Sequence, residues 1–209
     1  MQIDNINNIF GYYKKIFMYK LTLYKKILDH TYDPNNFPWW NEIGDKIILG
    51  AIPLKNYKHD TILKDKEHVK YIITILDKFE IDTITYISEP VTEEIWKNND
   101  IEQKIVNAPD FMPIELNELH ELVLYIKKCI DIIGDGNDKI YIHCKSGHGR
   151  SALVVMAFLM SKYGMTPDNA YTYVKNKRSV VNINSGQYES LVDYRNKYLM
   201  YYIDIANQI

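Results

Sequence analysis

The sequence predicts an α/β domain: a central sheet of about five strands, mostly parallel or mixed, flanked by helices. Three observations predict it. Short apolar, β-branched runs recur along the chain, segments of helical period lie between and after them, and the composition is that of a packed globule. Of the 209 residues, 46% are hydrophobic and 25% charged, which excludes a disordered chain and allows a substantial core. The 25 basic and 27 acidic residues nearly cancel, so no global field would draw the chain to nucleic acid.

The first element is an amphipathic helix in a separate segment, residues 1–36, ahead of a main domain over 37–209. Between Asn5 and Leu28 stand five lysines (Lys14, Lys15, Lys20, Lys25, Lys26) and no acid. Ile9, Tyr13, Ile16, Phe17, Leu21, Tyr24, Ile27 and Leu28 share one helical face. The plainer expectation is a helix packed on the domain with solvated lysines. The sharper one is peripheral contact with an anionic membrane through residues 5–28. A transit peptide fits less well, since the segment has no Arg and little Ser.

The stretch YDPNNFPWWNEIGDKIILGAIP (32–53) then reads as an irregular connection entering a strand at KIILGAIP. Further strands are expected at YIITIL (71–76), TITYIS (83–88), QKIVNA (103–108) and KIYIHC (139–144). From Ile114 to Ile133, the residues Leu116, Leu119, Val123, Ile126, Ile130 and Ile133 form one helical stripe. SALVVMAFLMSKYG (151–164) is apolar all round and short, hence a buried helix stopped at Gly164. Two more helices are expected, from Pro167 and over about Ser185 to Ile205.

Only two cysteines occur, Cys129 and Cys144, which excludes a disulfide framework and a Cys-x-x-Cys zinc site. With no long apolar run and no cleavable secretory pattern, the expectation is an intracellular, cytoplasmic protein. Cys129 lies on the predicted 114–133 helix and reads as structural. Cys144 opens a different question, because it begins HCKSGHGRS, residues 143–151, between a strand and a buried helix.

A loop that turns directly into a helix N-terminus gathers unpaired N–H groups and partial positive charge, which suits an anion. Gly147 and Gly149 allow the tight wrap, so Lys145, Ser146, Gly147, His148, Gly149 and Arg150 can cradle a phosphate. The loop ends Gly-Arg-Ser, not the Gly-Lys-Ser/Thr of a nucleotide loop. Arg150 is one of three arginines, with Arg178 and Arg195, against 22 lysines, and its planar fork matches two phosphate oxygens. In that setting the Cys144 thiol should ionise readily and attack phosphorus. Ser151 can donate to the sulfur and ease its departure. His143 reads as support for the loop, and a metal site built from His143, Cys144 and His148 is disfavoured because adjacent strand residues point apart.

His143, Cys144, Arg150 and Ser151 reproduce His-Cys-x5-Arg-Ser, which resembles the signature of the cysteine-dependent protein tyrosine phosphatase superfamily and, within it, the dual-specificity group. WWNEIGDKIILGAIPL, VKYIITILDKFE and KRSVVNINSGQYESL are similar in order and spacing to the subfamily that includes mitochondrial-type phosphatidylglycerophosphate phosphatases. The resemblance implies a general acid on a loop after a strand; Asp110 in NAPDFMP, 34 residues before Cys144, occupies that place, with Asp77, Glu80 and Glu115 as lesser alternatives. It also implies a position near the pocket for Gln187, in a turn where Ser185 replaces the usual Pro. The activity implied is hydrolysis of phosphotyrosine and phosphoserine/threonine through a phosphocysteine, with no metal or cofactor. The partner is then a phosphorylated protein or, as the alternative, a phospholipid; a silent phosphate-binding pseudophosphatase is disfavoured because Cys, Arg and acid are all present. Lys145 and His148 are expected to add positive or titratable character to the loop.

Overall fold

The computed structural model describes residues 2–77, 80 and 89–200, with side chains from Gly11 onward. A long helix α1 (Gln2–Tyr32) leads into β1 (Trp40–Glu42), β2 (Ile47–Gly50), α2 (His59–Asp65), β3 (Val69–Leu76), α3 (Glu93–Asn98) and β4 (Glu102–Asn107). There follow α4 (Leu116–Ile133), β5 (Lys139–His143), α5 (Arg150–Tyr163), α6 (Pro167–Lys177) and α7 (Ser185–Tyr194), the last running into a π-helical turn, Arg195–Leu199.

The sheet has strand order β1-β2-β5-β3-β4. Its β1 edge is antiparallel to β2, while β2, β5, β3 and β4 are mutually parallel. The parallel strands therefore end along one rim, with β5 at the centre, and a loop leaving β5 emerges where α/β sheets bind their ligands. Strand alternation divides the core between two faces. Ile47, Leu49, Ile73, Ile75, Ile140 and Ile142 point towards α4, α5, α6 and α7. Ile48, Ile72 and Tyr141 face α2 and α3, with Leu63 and Trp96.

Helix α5 is apolar all round because the fold surrounds it: every residue from Arg150 to Met160 is buried. It ends at Gly164, whose φ of 67° is cheap only for glycine. Pro167 begins α6 behind a Thr166 cap whose hydroxyl accepts from the Asn169 N–H at 3.2 Å.

Two expectations change and a third falls outside the described residues. The strand expected at TITYIS lies outside the described residues, and the fifth strand is β1, three residues within the segment read as irregular connection. Helix α7 gives way to the π turn, and the residues beyond 200 are not described. In α1 the buried face coincides with the one the spacing suggested only at its edge, at Ile27. Tyr19, Leu23 and Ile27 pack against Trp39, Ala51, Ile52, Leu54 and Leu76, whereas Tyr13, Phe17, Leu21 and Tyr24 are exposed. The helix carries apolar residues on two faces, and helical period alone does not say which meets the domain. Lys26 is buried beside Tyr19 and Leu23, its Nζ donating to the carbonyls of Phe37 (3.3 Å) and Pro38 (3.0 Å).

One close approach aligns the rim. The Tyr141 hydroxyl donates to the Ala51 carbonyl at 2.6 Å and lies where a side chain at Gly50 would begin. Gly50→Ala should therefore cost about 1–3 kcal/mol of stability, read as a lower urea midpoint.

Candidate active site

The segment Cys144–Gly149 joins β5 to α5, and its shape follows from where its carbonyl groups go. The carbonyl of Lys145 accepts from Ile52 N–H (3.1 Å), that of His148 from Asn182 N–H (3.0 Å), and that of Gly149 from Leu153 N–H (2.9 Å). Those of Ser146 and Gly147 accept from Arg178 Nη2 (3.2 Å) and Nε (2.9 Å). Five successive carbonyls are thus held on the outside of the turn, which leaves the N–H groups to line its inside. Gly147, at φ 71°, presses against the Gly50 backbone, and a Cβ there would collide with it.

Arg178 is fully buried and reaches beyond the loop, donating from Nη1 to Pro38 O (3.2 Å) and Asn41 Oδ1 (2.7 Å). Burial brings its pKa down to about 10, so it remains charged at neutral pH. One side chain thereby fastens the loop to the chain entering β1.

Cys144 Sγ sits at the floor of the cradle. Ser151 Oγ donates to it at 3.2 Å, and the N–H groups of Ser151 and Gly147 also point at it. Burial opposes ionisation more than any single group favours it. The Arg150 charge and those three donors together outweigh burial, and the thiol pKa falls below its ordinary value.

Arg150, 1% exposed, is aimed by two carboxylates and a carbonyl. Its Nη1 donates to Glu80 Oε2 (2.6 Å) and to Ala108 O (2.8 Å). Its Nη2 meets Glu80 Oε1 (3.2 Å) and Asp110 Oδ1 (3.0 Å). Its Nε is buried with no hydrogen-bond partner among the described residues. A guanidinium fixed on its far side with a free N–H is suited to an incoming oxyanion.

Asp110 follows β4 on a loop whose next residue, Phe111, has φ 64°. Its Oδ2 accepts from Lys145 Nζ at 2.5 Å, and Lys145 also lies 3.8 Å from Glu80 and 5.7 Å from the centre of the Tyr19 ring. Asn184 Nδ2 donates to Phe111 O (2.7 Å) and Gln187 Nε2 to Met112 O (3.4 Å), so the N-terminus of α7 steadies this loop. Asn184 and Gln187 also form a capping box, with Gln187 buried against Gly149.

His143 is buried, and burial takes its pKa down to about 4. Its Nδ1 faces the Cys144 carbonyl (3.2 Å), which can only accept, so Nδ1 carries the proton and Nε2 accepts from Thr74 Oγ1 at 2.8 Å. Gln103 Nε2 donates to that hydroxyl at 2.7 Å, completing a chain from β4 across the sheet to the backbone of Cys144. Burial likewise lowers His148 to about 4, with Arg178 and Lys26 adding to it. His148 lines the cavity without the positive character expected of it.

These residues converge on a cavity of about 520 Å³ lined by Cys144, Lys145, Ser146, His148, Gly149, Arg150, Asp110 and Gln187. Sequence spacing missed one wall: Thr22, Lys25, Lys26 and Asp29 of α1 also line it. Of the three alternative acids, Glu80 is the Arg150 clamp, Asp77 gives its backbone N–H to Glu80 (2.9 Å), and Glu115 stands at the start of α4.

Residues 61–197 match the sequence model of the dual specificity phosphatase catalytic domain. The chain belongs to the dual-specificity phosphatase family. It is 34% identical over 166 residues to dual specificity protein phosphatase 1 of Arabidopsis thaliana, covering 78% of this chain and 71% of that one. It is 28% identical over 181 residues to the Mus musculus phosphatidylglycerophosphatase and protein-tyrosine phosphatase 1, covering 86% and 88%. The crystal structure of PTPMT1 in complex with PI(5)P superposes with a TM-score of 0.67 at 27% identity, over 76% of this chain and 96% of that one.

This dual-specificity phosphatase is thus a cysteine-based phosphatase, similar to the phosphatidylglycerophosphatase subfamily as well as to dual specificity protein phosphatases. The thiol geometry has a direct test. Ser151→Ala removes a donor that favours the thiolate, so the native thiol pKa should rise. The pH midpoint for alkylation of Cys144 by iodoacetamide should move upward, while the plateau rate at high pH stays the same.

Proposed function

We propose that Cys144 is the nucleophile, Arg150 and the inward N–H groups of residues 145–150 the phosphate ligands, and Asp110 the general acid. The thiolate forms an S–P bond as the P–O bond to the leaving group breaks, and Asp110 gives its proton to the departing oxygen. Water then attacks phosphorus, Asp110 takes its proton, and the sulfur leaves as a thiolate held by the Ser151 hydroxyl. The products are an alcohol and inorganic phosphate. The observation that carries this reading is an Arg150 Nε–H with no partner among the described residues, together with a thiol whose pKa the Arg150 charge helps to lower, in a turn with every carbonyl from Lys145 to Gly149 held outward. Glu80 and Arg178 are positioning residues: one aims the guanidinium, the other fixes the loop. His143 and Gln187 support the same loop from β5 and α7.

For the substrate, the wall from α1 is the informative feature. A cavity of about 520 Å³ with Thr22 and Lys25 at its side holds more than one phosphoryl group. The chemistry that fits is a phosphomonoester beside a second anionic group, as in a glycerophospholipid headgroup. The names of the mouse relative and of the PI(5)P complex support that class. A phosphotyrosyl peptide is the second reading, favoured by Phe111, 73% exposed on the cavity rim, where an aromatic ring could stack.

Cys144→Ser should abolish turnover of an aryl phosphate while inorganic phosphate still binds. In Asp110→Asn, kcat/KM should fall by about 10²–10⁴ for alkyl phosphates and much less for p-nitrophenyl phosphate, whose leaving group needs no proton. Equal losses on both would assign the acid elsewhere.

The substrate is settled by assaying phosphatidylglycerophosphate, a phosphoinositide and phosphotyrosyl and phosphothreonyl peptides side by side. Lys25→Gln should raise KM for the lipids by about threefold to tenfold, with kcat and the peptide constants unchanged. A preference for peptide, unaffected by Lys25→Gln, would select the second reading.

A further inference from the structure

Helix α1 is 31 residues long, about 46 Å, and among its described side chains those from Tyr19 onward meet the domain. From Gly11 to Met18 every residue is exposed except Ile16, which is half-buried; the first fully buried side chain is Tyr19. The face turned away from the domain is not polar. Tyr13 and Phe17 are each 64% exposed, Leu21 48% and Tyr24 44%, in one continuous stripe at helical spacing. Lys14, Lys20 and Lys25, all exposed, flank that stripe on both sides. An apolar stripe on the face turned away from the domain requires a surface to cover it.

Charge selects the surface. Residues 5–28 carry +5; the whole chain carries −2, so the remainder carries −7. Two copies of the helix would repel each other, and the acidic body would keep away from an anionic surface that α1 is drawn to. Aromatic and aliphatic side chains rimmed by lysines match an anionic lipid interface, with rings at headgroup depth and ammonium groups on the phosphates. Among the described residues no helix is long and apolar enough to cross a membrane, so α1 would lie along the surface.

We infer that the exposed face of α1, centred on Tyr13, Phe17, Leu21 and Tyr24, docks the enzyme onto anionic bilayers with its cavity at headgroup level. The two faces of the helix couple these functions. Leu21 and Tyr24 are sequence neighbours of Thr22 and Lys25, which line the cavity. Phe111 and Met112, 73% and 55% exposed, add a second apolar rim on the acid loop. Docking does not depend on which phosphomonoester the site accepts, and its test is a binding measurement on vesicles that contain no substrate.

The full-length protein is sedimented with vesicles of phosphatidylcholine alone and of phosphatidylcholine with phosphatidylglycerol. It should bind the mixed vesicles at least about tenfold more tightly, with affinity falling as salt rises. Phe17→Glu with Leu21→Glu should weaken that binding by about tenfold or more, and Lys14→Gln with Lys20→Gln should abolish the preference for anionic lipid. Turnover of p-nitrophenyl phosphate and the far-ultraviolet circular dichroism should be unchanged in both variants, which shows that the domain has folded. No binding by the full chain, or equal binding by both variants, would overturn the proposal. So would a dimer in sedimentation equilibrium that Phe17→Glu with Leu21→Glu dissociates while vesicle binding persists, since the stripe would then belong to a second copy of the chain.

Discussion

Arg178 is the interaction on which the catalytic geometry depends. A loop that presents its N–H groups to an anion must turn its carbonyls away, and buried carbonyls need donors. Ile52, Leu153 and Asn182 supply three from the backbone, but among the described residues no backbone N–H reaches the carbonyls of Ser146 or Gly147. Arg178 supplies both, from Nε and Nη2; Nη1 holds Pro38 and Asn41, and Nη2 also reaches the Trp39 carbonyl. Through one guanidinium the loop after β5, β1 and the segment that leads into β1 become a single unit. A lysine could not replace it, since one ammonium cannot span acceptors spread over so wide an arc.

That linkage explains why a helix outside the matched catalytic domain forms part of the cavity. Lys26 reaches from α1 to the same Pro38 carbonyl that Arg178 holds, and burial together with the nearby Arg178 charge brings its pKa down to about 8. Two cations converge on one short segment, and its carbonyls compensate both. Tyr19, one turn and more before Lys26, lies against Lys145, which in turn holds Asp110. The position of α1 is therefore transmitted to the acid loop through side-chain contacts, and not only through its share of the cavity wall.

How much of this the sequence revealed depends on the range of each signal. Cys144, Arg150 and Ser151 lie within eight residues, and strand, glycine-rich turn and buried helix agree on their meaning, so the loop was legible. The stripe over 114–133 and the apolar run at 151–164 gave α4 and α5 for the same reason: their evidence is local. Asp110 was reached through resemblance, since a loop aspartate has no signature of its own. Glu80 and Arg178 were noticed for other reasons, one as an alternative acid and one as a rare arginine. Their partners lie 70 and about 31 residues away, and no periodicity encodes a contact at that distance. The strand β1 was too short to show alternation, and the two apolar faces of α1 gave period without direction.

The charges around Arg150 set the conditions for binding phosphate. Burial alone would favour a neutral guanidinium, yet the combined influence of Cys144, Glu80 and Asp110 raises its pKa. The same attraction appears from the other side as the lowered pKa of the Cys144 thiol, so the ion pair is one interaction and not two independent stabilisations. Glu80 and Asp110 differ in what they can release. Glu80 is fully buried, with both oxygens engaged by Arg150, and has no exit. Asp110 is partly exposed, meets Arg150 through one oxygen, and stands on a loop tied down by Asn184 and Gln187 at its far end. A phosphate dianion competing for Nη2 would thus displace Asp110 and leave Glu80 in place. The carboxylate that yields is the one that lines the cavity, where the proposed mechanism needs an acid. Ligand binding and acid placement then become a single event, and the buried clamp keeps the fork from following the carboxylate it loses.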